Sequence, residues 1–220
     1  MGRQARAEVT RTRILDAAVE LFDESGFAAT GLGDIIERAE ITKGALYYHF
    51  DSKEALAAAL IEEATSRVIG AFREIASSSS PALENMIHGS FVVLGLIAND
   101  RLARIGRQLA RALGQFTGAG AQTYRDWTTV VAGQAHKAAE EGDLRDGADP
   151  DIVAETIIAV LLGVEQLSTA LSSGADMLLR LTWVWQMLLP SIASDESLEY
   201  FRQYLGRESV RFSPGDAQRG

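Results

Sequence analysis

The sequence predicts an all-α protein: a small amino-terminal helix-turn-helix unit followed by a larger helical domain, about nine or ten helices in all. Three observations predict it. Apolar residues recur with a period near 3.6 from end to end. No run alternates apolar and polar residues between turn signals, as a half-buried strand would. The prolines, Pro81, Pro150, Pro190 and Pro214, read as punctuation between helices.

Taken in order, "EVTRTRILDAAVELFDESGF" places Ile14, Leu15, Ala18, Leu21 and Phe22 on one face, and Gly26 is expected to end that helix as a glycine in the left-handed region. Thr30 is expected to cap a second helix carrying Leu32, Ile35, Ile36 and Ala39, with Asp34 near its positive end. Thr42 caps a third, from Lys43 to about His49, and Asp51 or Ser52 a long fourth that ends before the linker Ser77–Pro81. Further helices are expected at about 82–98, 101–114, 120–141, 150–172, 175–189 and 195–206. Asp149-Pro150 marks a sharp start, since aspartate caps and proline suits the first turn. The domain division read this way is 1–52 for the helix-turn-helix unit, 53–211 for the larger domain, and a disordered tail over 212–220.

Composition bounds the function. The chain has 220 residues, is 47% hydrophobic, and contains no cysteine, so thiolate metal sites and disulfides are excluded and a reducing cytoplasm is the simplest setting. The longest purely apolar run, Ile157 to Val164, is far short of the roughly 20 residues a membrane span needs, so no membrane partner is expected. The formal net charge of −9 argues against a uniformly basic nucleic-acid binder, but the charge is uneven. Through Lys53 there are seven basic against nine acidic residues, and beyond it fourteen against twenty-one. A cationic face built from Arg3, Arg6, Arg11, Arg13, Lys43, His49 and Lys53 on an acidic body is compatible with DNA.

The third helix carries the most information. In "TKGALYYHF", Leu46 and Phe50 stand four apart and can face inward, leaving Lys43, Gly44, Tyr47 and Tyr48 outward. Lysine can donate to guanine O6 or N7, glycine admits close backbone approach, and a tyrosine edge can meet a thymine methyl or a phosphate. Spacing alone leaves open whether this is a reading helix or ordinary surface.

The fuller pattern decides between them. "TKGALYYHFDSKEAL", the preceding "AAVELFDESGFAATGLGDI" and the helical remainder resemble the TetR family of bacterial transcriptional repressors. The resemblance implies a homodimer whose paired helix-turn-helix units bind successive major grooves of a palindromic operator, while the larger domain binds a small molecule. It implies DNA contacts from Thr42, Lys43, Gly44, Ala45, Tyr47, Tyr48 and His49, with Thr30 and Lys53 adding phosphate contacts at helix starts. Gly31 and Gly33 stand where the family usually carries polar side chains that grip the backbone.

In the larger domain, "DPDIVAETIIAVLLGVEQLSTAL" and "GADMLLRLTWVWQMLLP" are apolar around nearly their whole circumference, which suits two helices buried on one side by their own domain and on the other by a second copy. Tyr124, Trp127 and Val131 share one helical face able to line a cavity; a core tryptophan fits the same spacing. Trp127, Trp185 and the preceding "RLARIGRQLA" are similar to the γ-butyrolactone receptor branch of the family, which senses lactone, butenolide or furan signals, and the resemblance implies that Trp127 lines the pocket. Helical phase adds Phe91, Leu94, Ile158, Leu162 and Gln166 as further candidates, and their character suits an uncharged hydrophobic ligand. A drug or fatty-acyl effector is the alternative within the same fold.

Catalysis finds no support. His49, His88 and His136 are scattered without metal-ligand spacing, and the glycine pairs at Gly31 and Gly118 lack the lysine and hydroxyl residue of a phosphate loop, so neither a metal nor a cofactor is expected. The fourth helix, Ser52 to about Ala76, is the expected lever between DNA unit and pocket.

Overall fold

The computed structural model describes residues 2–114 and 118–213, with side chains over 4–113 and 124–213. The described residues form ten helices: α1 (Gly2–Ala29), α2 (Leu32–Arg38), α3 (Lys43–His49), α4 (Lys53–Ala76), α5 (Ala82–Asn99), α6 (Arg101–Gly114), α7 (Gly118–Glu140), α8 (Pro150–Ser172), α9 (Met177–Ile192) and α10 (Leu198–Arg211). They divide into two compact units, Met1–Arg67 with Asp100–Gly120, and Val68–Asn99 with Ala121–Gly220.

The first unit packs α1, α2, α3, the start of α4 and α6 around one core, with Ile14, Ala18, Ile35, Leu46, Leu56 and Leu60 fully buried and Ile105 and Leu109 of α6 joining them. The helix itself was expected at 101–114, but its place in this unit was not legible from its arginine-rich sequence. Its apolar stripe is narrow, and it is seated by Gly106, where a Cβ would stand 2.2 Å from the Ala64 Cβ; any larger residue would force the two backbones apart. Arg101 and Arg104 meet Asp23 of α1 at 3.4 and 3.1 Å, so these arginines serve as helix-pairing residues.

Helix ends follow the side chains available. Gly26, at φ 79° and ψ 159°, breaks α1, as its position in the sequence suggests, but a further turn follows to Ala29. That conformation is open essentially only to glycine. The cap of α2 is a correction. Gly31, not Thr30, is the capping residue, and the Asp34 carboxylate accepts its N–H at 2.8 Å. Ser52 rather than Asp51 caps α4, accepting from the Ala55 N–H at 3.0 Å.

In the second unit α5 is the enclosed element: twelve of its residues are buried, and α8, α9 and α10 pack against it. The end of α4 is tied to α5 and α7 by polar bonds: Gln134 donates to the Ala76 carbonyl, and its own amide oxygen accepts from Asn85, which in turn accepts from Ser78. Tyr200 donates to the buried Glu84, and Glu208 meets His88 Nδ1 at 2.6 Å, holding α10 to α5. Asp149 caps α8 as expected. Pro190 is a correction: it lies inside α9, in the last turns before Ile192, and does not end the helix. The sequence also underestimates α10, which runs to Arg211, and Phe212 is ordered, stacking on Phe91 at 5.5 Å; residues 214–220 of the expected tail lie outside the described residues. By length and composition α5 and α8 are apolar enough to cross a membrane, although no uninterrupted apolar run is that long. Two-thirds of the α5 window is buried within the protein.

The α8–α9 corner is fixed by Asp176. Its carboxylate accepts from Arg180 at 2.8 Å, from Ser168 at 2.6 Å and from Ser172, and these donors, Arg180 foremost, hold it well below the usual carboxylate range. A carboxyl whose pKa falls on folding stabilises fully above its unfolded value near 4 and progressively less as pH drops through its folded value. Asp176→Asn is expected to lower the thermal midpoint at pH 7, with the gap to wild type narrowing below about pH 4; a gap independent of pH between 7 and 3 would contradict this assignment.

Candidate DNA-reading helix and ligand-facing residues

A seven-residue helix cannot hold its shape in water alone, because nucleation costs more than so few hydrogen bonds return. α3 is therefore held from outside itself. Leu46 is fully buried and Phe50 nearly so, both in the core of the first unit, while the Thr42 hydroxyl accepts the Ala45 N–H at 3.2 Å. Once those two side chains are fixed, the helical period decides what faces out. Thr42, Lys43 and Gly44 are exposed, Tyr47 is 44% and Tyr48 75% exposed, and Ala45 and His49 are half-buried. Lys43 Nζ lies 5.8 Å from the Tyr47 ring centroid, and the Tyr48 and His49 rings meet edge-on at 5.0 Å. A Cβ at Gly44 would meet nothing within 4 Å, leaving its backbone open to close approach. This surface matches the donors and apolar edges expected of a helix that reads a major groove.

Two expected phosphate contacts are used differently. Thr30 is 3% exposed, and its hydroxyl donates inward to the Gly26 and Leu21 carbonyls at 3.0 and 3.3 Å. Lys53 Nζ donates to the carbonyls of Phe27 and Thr30 at 2.8 and 2.9 Å and sits 4.4 Å above the Phe27 ring. Both side chains close the carboxyl end of α1 against α4. Residue type suggested a phosphate ligand; the orphan carbonyls of the break at Gly26 claim the donors first. The start of α2 offers no polar side chain at Gly31 or Gly33, as the sequence shows: Gly33 is open and the Asp34 carboxylate faces the Gly31 N–H. Arg38 is bound to Glu20 and Glu24 at 3.1 and 2.9 Å, bracing α2 on α1.

In the second unit the sequence-predicted ligand residues fall into three groups. Phe91 and Leu94 of α5 and Val131 of α7 are buried. Trp127 is half-buried and presents its ring edge-on to Phe72 of α4, centroids 5.9 Å apart at 64°. Ile158 and Leu162 are half-buried, whereas Tyr124 and Gln166 are exposed. Trp185 is 1% exposed, and its indole N–H donates to Ser90 at 2.8 Å, so α9 is bonded to α5 through it. Phe72 and Ser90 were missed by sequence reading. Phe72 continues the Val68–Ile69 apolar stripe of α4 and carried a helical-phase signal, but a lone serine on an apolar helix carried none. A separate groove of about 360 Å³ at the start of α8 and end of α9 is lined by Asp149, Ile152, Val153, Thr156, Leu188 and Ile192 among others, and by none of the predicted ligand residues.

The arrangement is that of a helix-turn-helix regulator, and comparison with known proteins defines the class. The profile of bacterial regulatory proteins of the tetR family matches residues 14–60, and that of the tetracyclin repressor-like C-terminal domain matches 79–193. The chain belongs to the TetR family: it is a DNA-binding transcriptional regulator and not an enzyme. Within that class it is 36% identical to the A-factor receptor protein of Streptomyces griseus, over 88% of this chain and 67% of that protein. A crystal structure of a gamma-butyrolactone receptor (ArpA-like protein) superposes with a TM-score of 0.74 at 25% identity, covering 94% of this chain and 99% of the other. CprB of Streptomyces coelicolor, solved with its biological operator, superposes with a TM-score of 0.70 at 26% identity, covering 94% and 99%.

Replacing Lys43 and Tyr47 together with alanine is expected to weaken binding to the DNA upstream of the chain's own gene by about thirtyfold or more, since each base contact contributes about 1–3 kcal/mol. The thermal midpoint is expected to stay within about 2 °C of wild type, because both side chains are exposed. Mobility shift with calorimetry checks both, and undiminished DNA binding would place the reading surface elsewhere.

Proposed function

We propose that this chain is a homodimeric repressor that binds a palindromic operator in the cytoplasm and leaves it when a small hydrophobic signal of lactone, butenolide or furan type binds the second unit. The observation that carries the reading is Trp127, half-buried and turned edge-on to Phe72, in a chain more than one-third identical to the A-factor receptor over most of its length. An indole there offers a flat apolar wall to a ring and alkyl chain and an N–H able to bond a carbonyl. Phe91, Leu94, Val131, Ile158 and Leu162 would supply the remaining apolar lining, while Tyr124 and Gln166 would stand at its edge and Trp185 behind it.

A homodimer is supported by what α8 and α9 leave uncovered. Ile152, Leu167 and Leu171 of α8 and Leu179, Trp183 and Met187 of α9 are each about half exposed or more, on helices whose opposite faces are buried. Large side chains on two adjacent helices suit a four-helix seam with a second copy. α4 belongs to both compact units, so a ligand-dependent shift at Phe72 has a continuous helix along which to reach Lys53 and the head. A signal that favours a spacing of the two reading helices other than about 34–36 Å must lower operator affinity.

Trp127→Ala is expected to leave operator affinity within about threefold of wild type and to abolish release by a γ-butyrolactone in a mobility-shift assay. Retained release would favour a pocket that does not involve this indole, as for a drug or fatty-acyl effector. Met187→Glu, placing a charge on the uncovered apolar face, is expected to shift the protein from dimer to monomer in sedimentation at micromolar concentration and to weaken DNA binding with it. An unaltered dimer would rule out this face as the seam.

A further inference from the structure

The amino-terminal turns of α1 are cationic, helical and nearly unpacked. Residues 2–13 carry Arg3, Arg6, Arg11 and Arg13 against the single acid Glu8, a net of +3 in a chain whose total is −9. The helix begins at Gly2, yet among the side chains described, which start at Gln4, the first buried is Ile14; from Gln4 to Arg13 every side chain is exposed or half-buried. The tetR-family profile also begins at residue 14, so these turns lie outside what it describes. Three turns of helix that bury no apolar face gain little from propensity alone. Thr10 and Thr12 donate back to the carbonyls of Arg6 and Glu8, which satisfies hydroxyls without adding contacts to the core.

The phase of the charges is informative. At 3.6 residues per turn, positions 3, 6, 10 and 13 share one face of α1, whereas Arg11 points to another. Arg11 lies 5.8 Å from the Phe50 ring and 3.9 Å from Glu63 of α4. Arg13 lies 3.6 Å from Glu40, in the turn between α2 and α3. The face bearing positions 3, 6 and 10 is therefore continuous with the side of the head on which the α2–α3 turn lies, not with α4. Arg6 is exposed, and among the described residues it carries no ion pair.

The geometry points to a second DNA-contacting surface: the amino-terminal turns of α1 bind duplex phosphates through Arg3 and Arg6, outside the footprint of α3. This rests on the reading of the chain as an operator-binding protein. The arm supplies the side-chain cations that the start of α2 lacks, where Gly31 and Gly33 offer no donor, Asp34 turns its carboxylate to the cap, and the helix's own Arg38 is engaged by Glu20 and Glu24. Its role is positioning, since phosphate contacts carry no base information.

The test uses the full chain, a duplex selected by wild type from a random-sequence pool, and fluorescence anisotropy from 50 to 200 mM salt. Each phosphate contact contributes about 0.9 to the slope of log affinity against log salt, so Arg3→Ala with Arg6→Ala is expected to flatten that slope by about two. The affinity loss should accordingly be about tenfold larger at 50 mM than at 200 mM salt. Base preference and thermal midpoint should not change. An unchanged slope in a variant that still binds overturns the arm's role while leaving the regulator reading intact, as does a changed base preference. Dissociation of the variant to monomers would place the arm against a second copy and also overturn it. If wild type selects no duplex at all, it is the operator-binding reading that falls.

Discussion

The structure depends most on the burial of Leu46 and Phe50. α3 is too short to persist unaided, and everything it can do follows from two apolar side chains driven into the core made by α1, α2, α4 and α6. With that face fixed, Lys43, Gly44, Tyr47 and Tyr48 have nowhere to go but outward. The chemistry that α3 offers to a partner is thus set by packing. The Thr42 cap and the Lys53 brace act in the same direction: one satisfies the first turn of α3, and the other locks the end of α1 to the start of α4, so that α3 is clamped on both flanks.

The second unit is organised differently. Its central helix α5 is mostly buried, and its enclosed polar side chains are each bonded to a neighbouring element, Asn85 to Gln134, Ser90 to Trp185, Glu84 to Tyr200 and half-buried His88 to Glu208. Buried polar groups are costly when unpaired, so these pairs fix the register of α7, α9 and α10 on α5 more narrowly than apolar packing alone would. Among the described residues no buried side-chain polar atom lacks a partner. A unit so constrained on one side, with Trp127 and Phe72 meeting edge-on at half-buried positions, gives the proposed signal a defined wall to press on.

Much of this was legible because helical period and capping residues act locally. Ten helices with bounds close to those expected, the inward pair Leu46 and Phe50, the outward face of α3 and the start of α8 at Asp149-Pro150 all come from spacings within a single turn or two. What escaped reading depends on contacts far apart in sequence. Lys53 looks like a phosphate ligand until the carbonyls of Phe27 and Thr30, more than twenty residues earlier, are found beneath it. The place of α6 in the first unit rests on a glycine meeting Ala64, and Pro190 is absorbed because it falls in the closing turns of α9 rather than in mid-helix. Tyr124 and Trp127, three apart, share a face in phase, yet the tyrosine is more open than the tryptophan, a difference that α4 makes through Phe72.

In the proposed mechanism operator and signal favour different conformations of the dimer, and linkage makes that measurable from either side. Titrating a fluorescent duplex from the region upstream of the gene into the protein, with and without saturating γ-butyrolactone, gives the factor by which ligand weakens DNA binding; titrating the lactone with and without saturating duplex gives the converse. The expected result of this coupling is weakening of at least tenfold, equal in the two directions within error. Operator affinity that is unchanged at saturating lactone would contradict it.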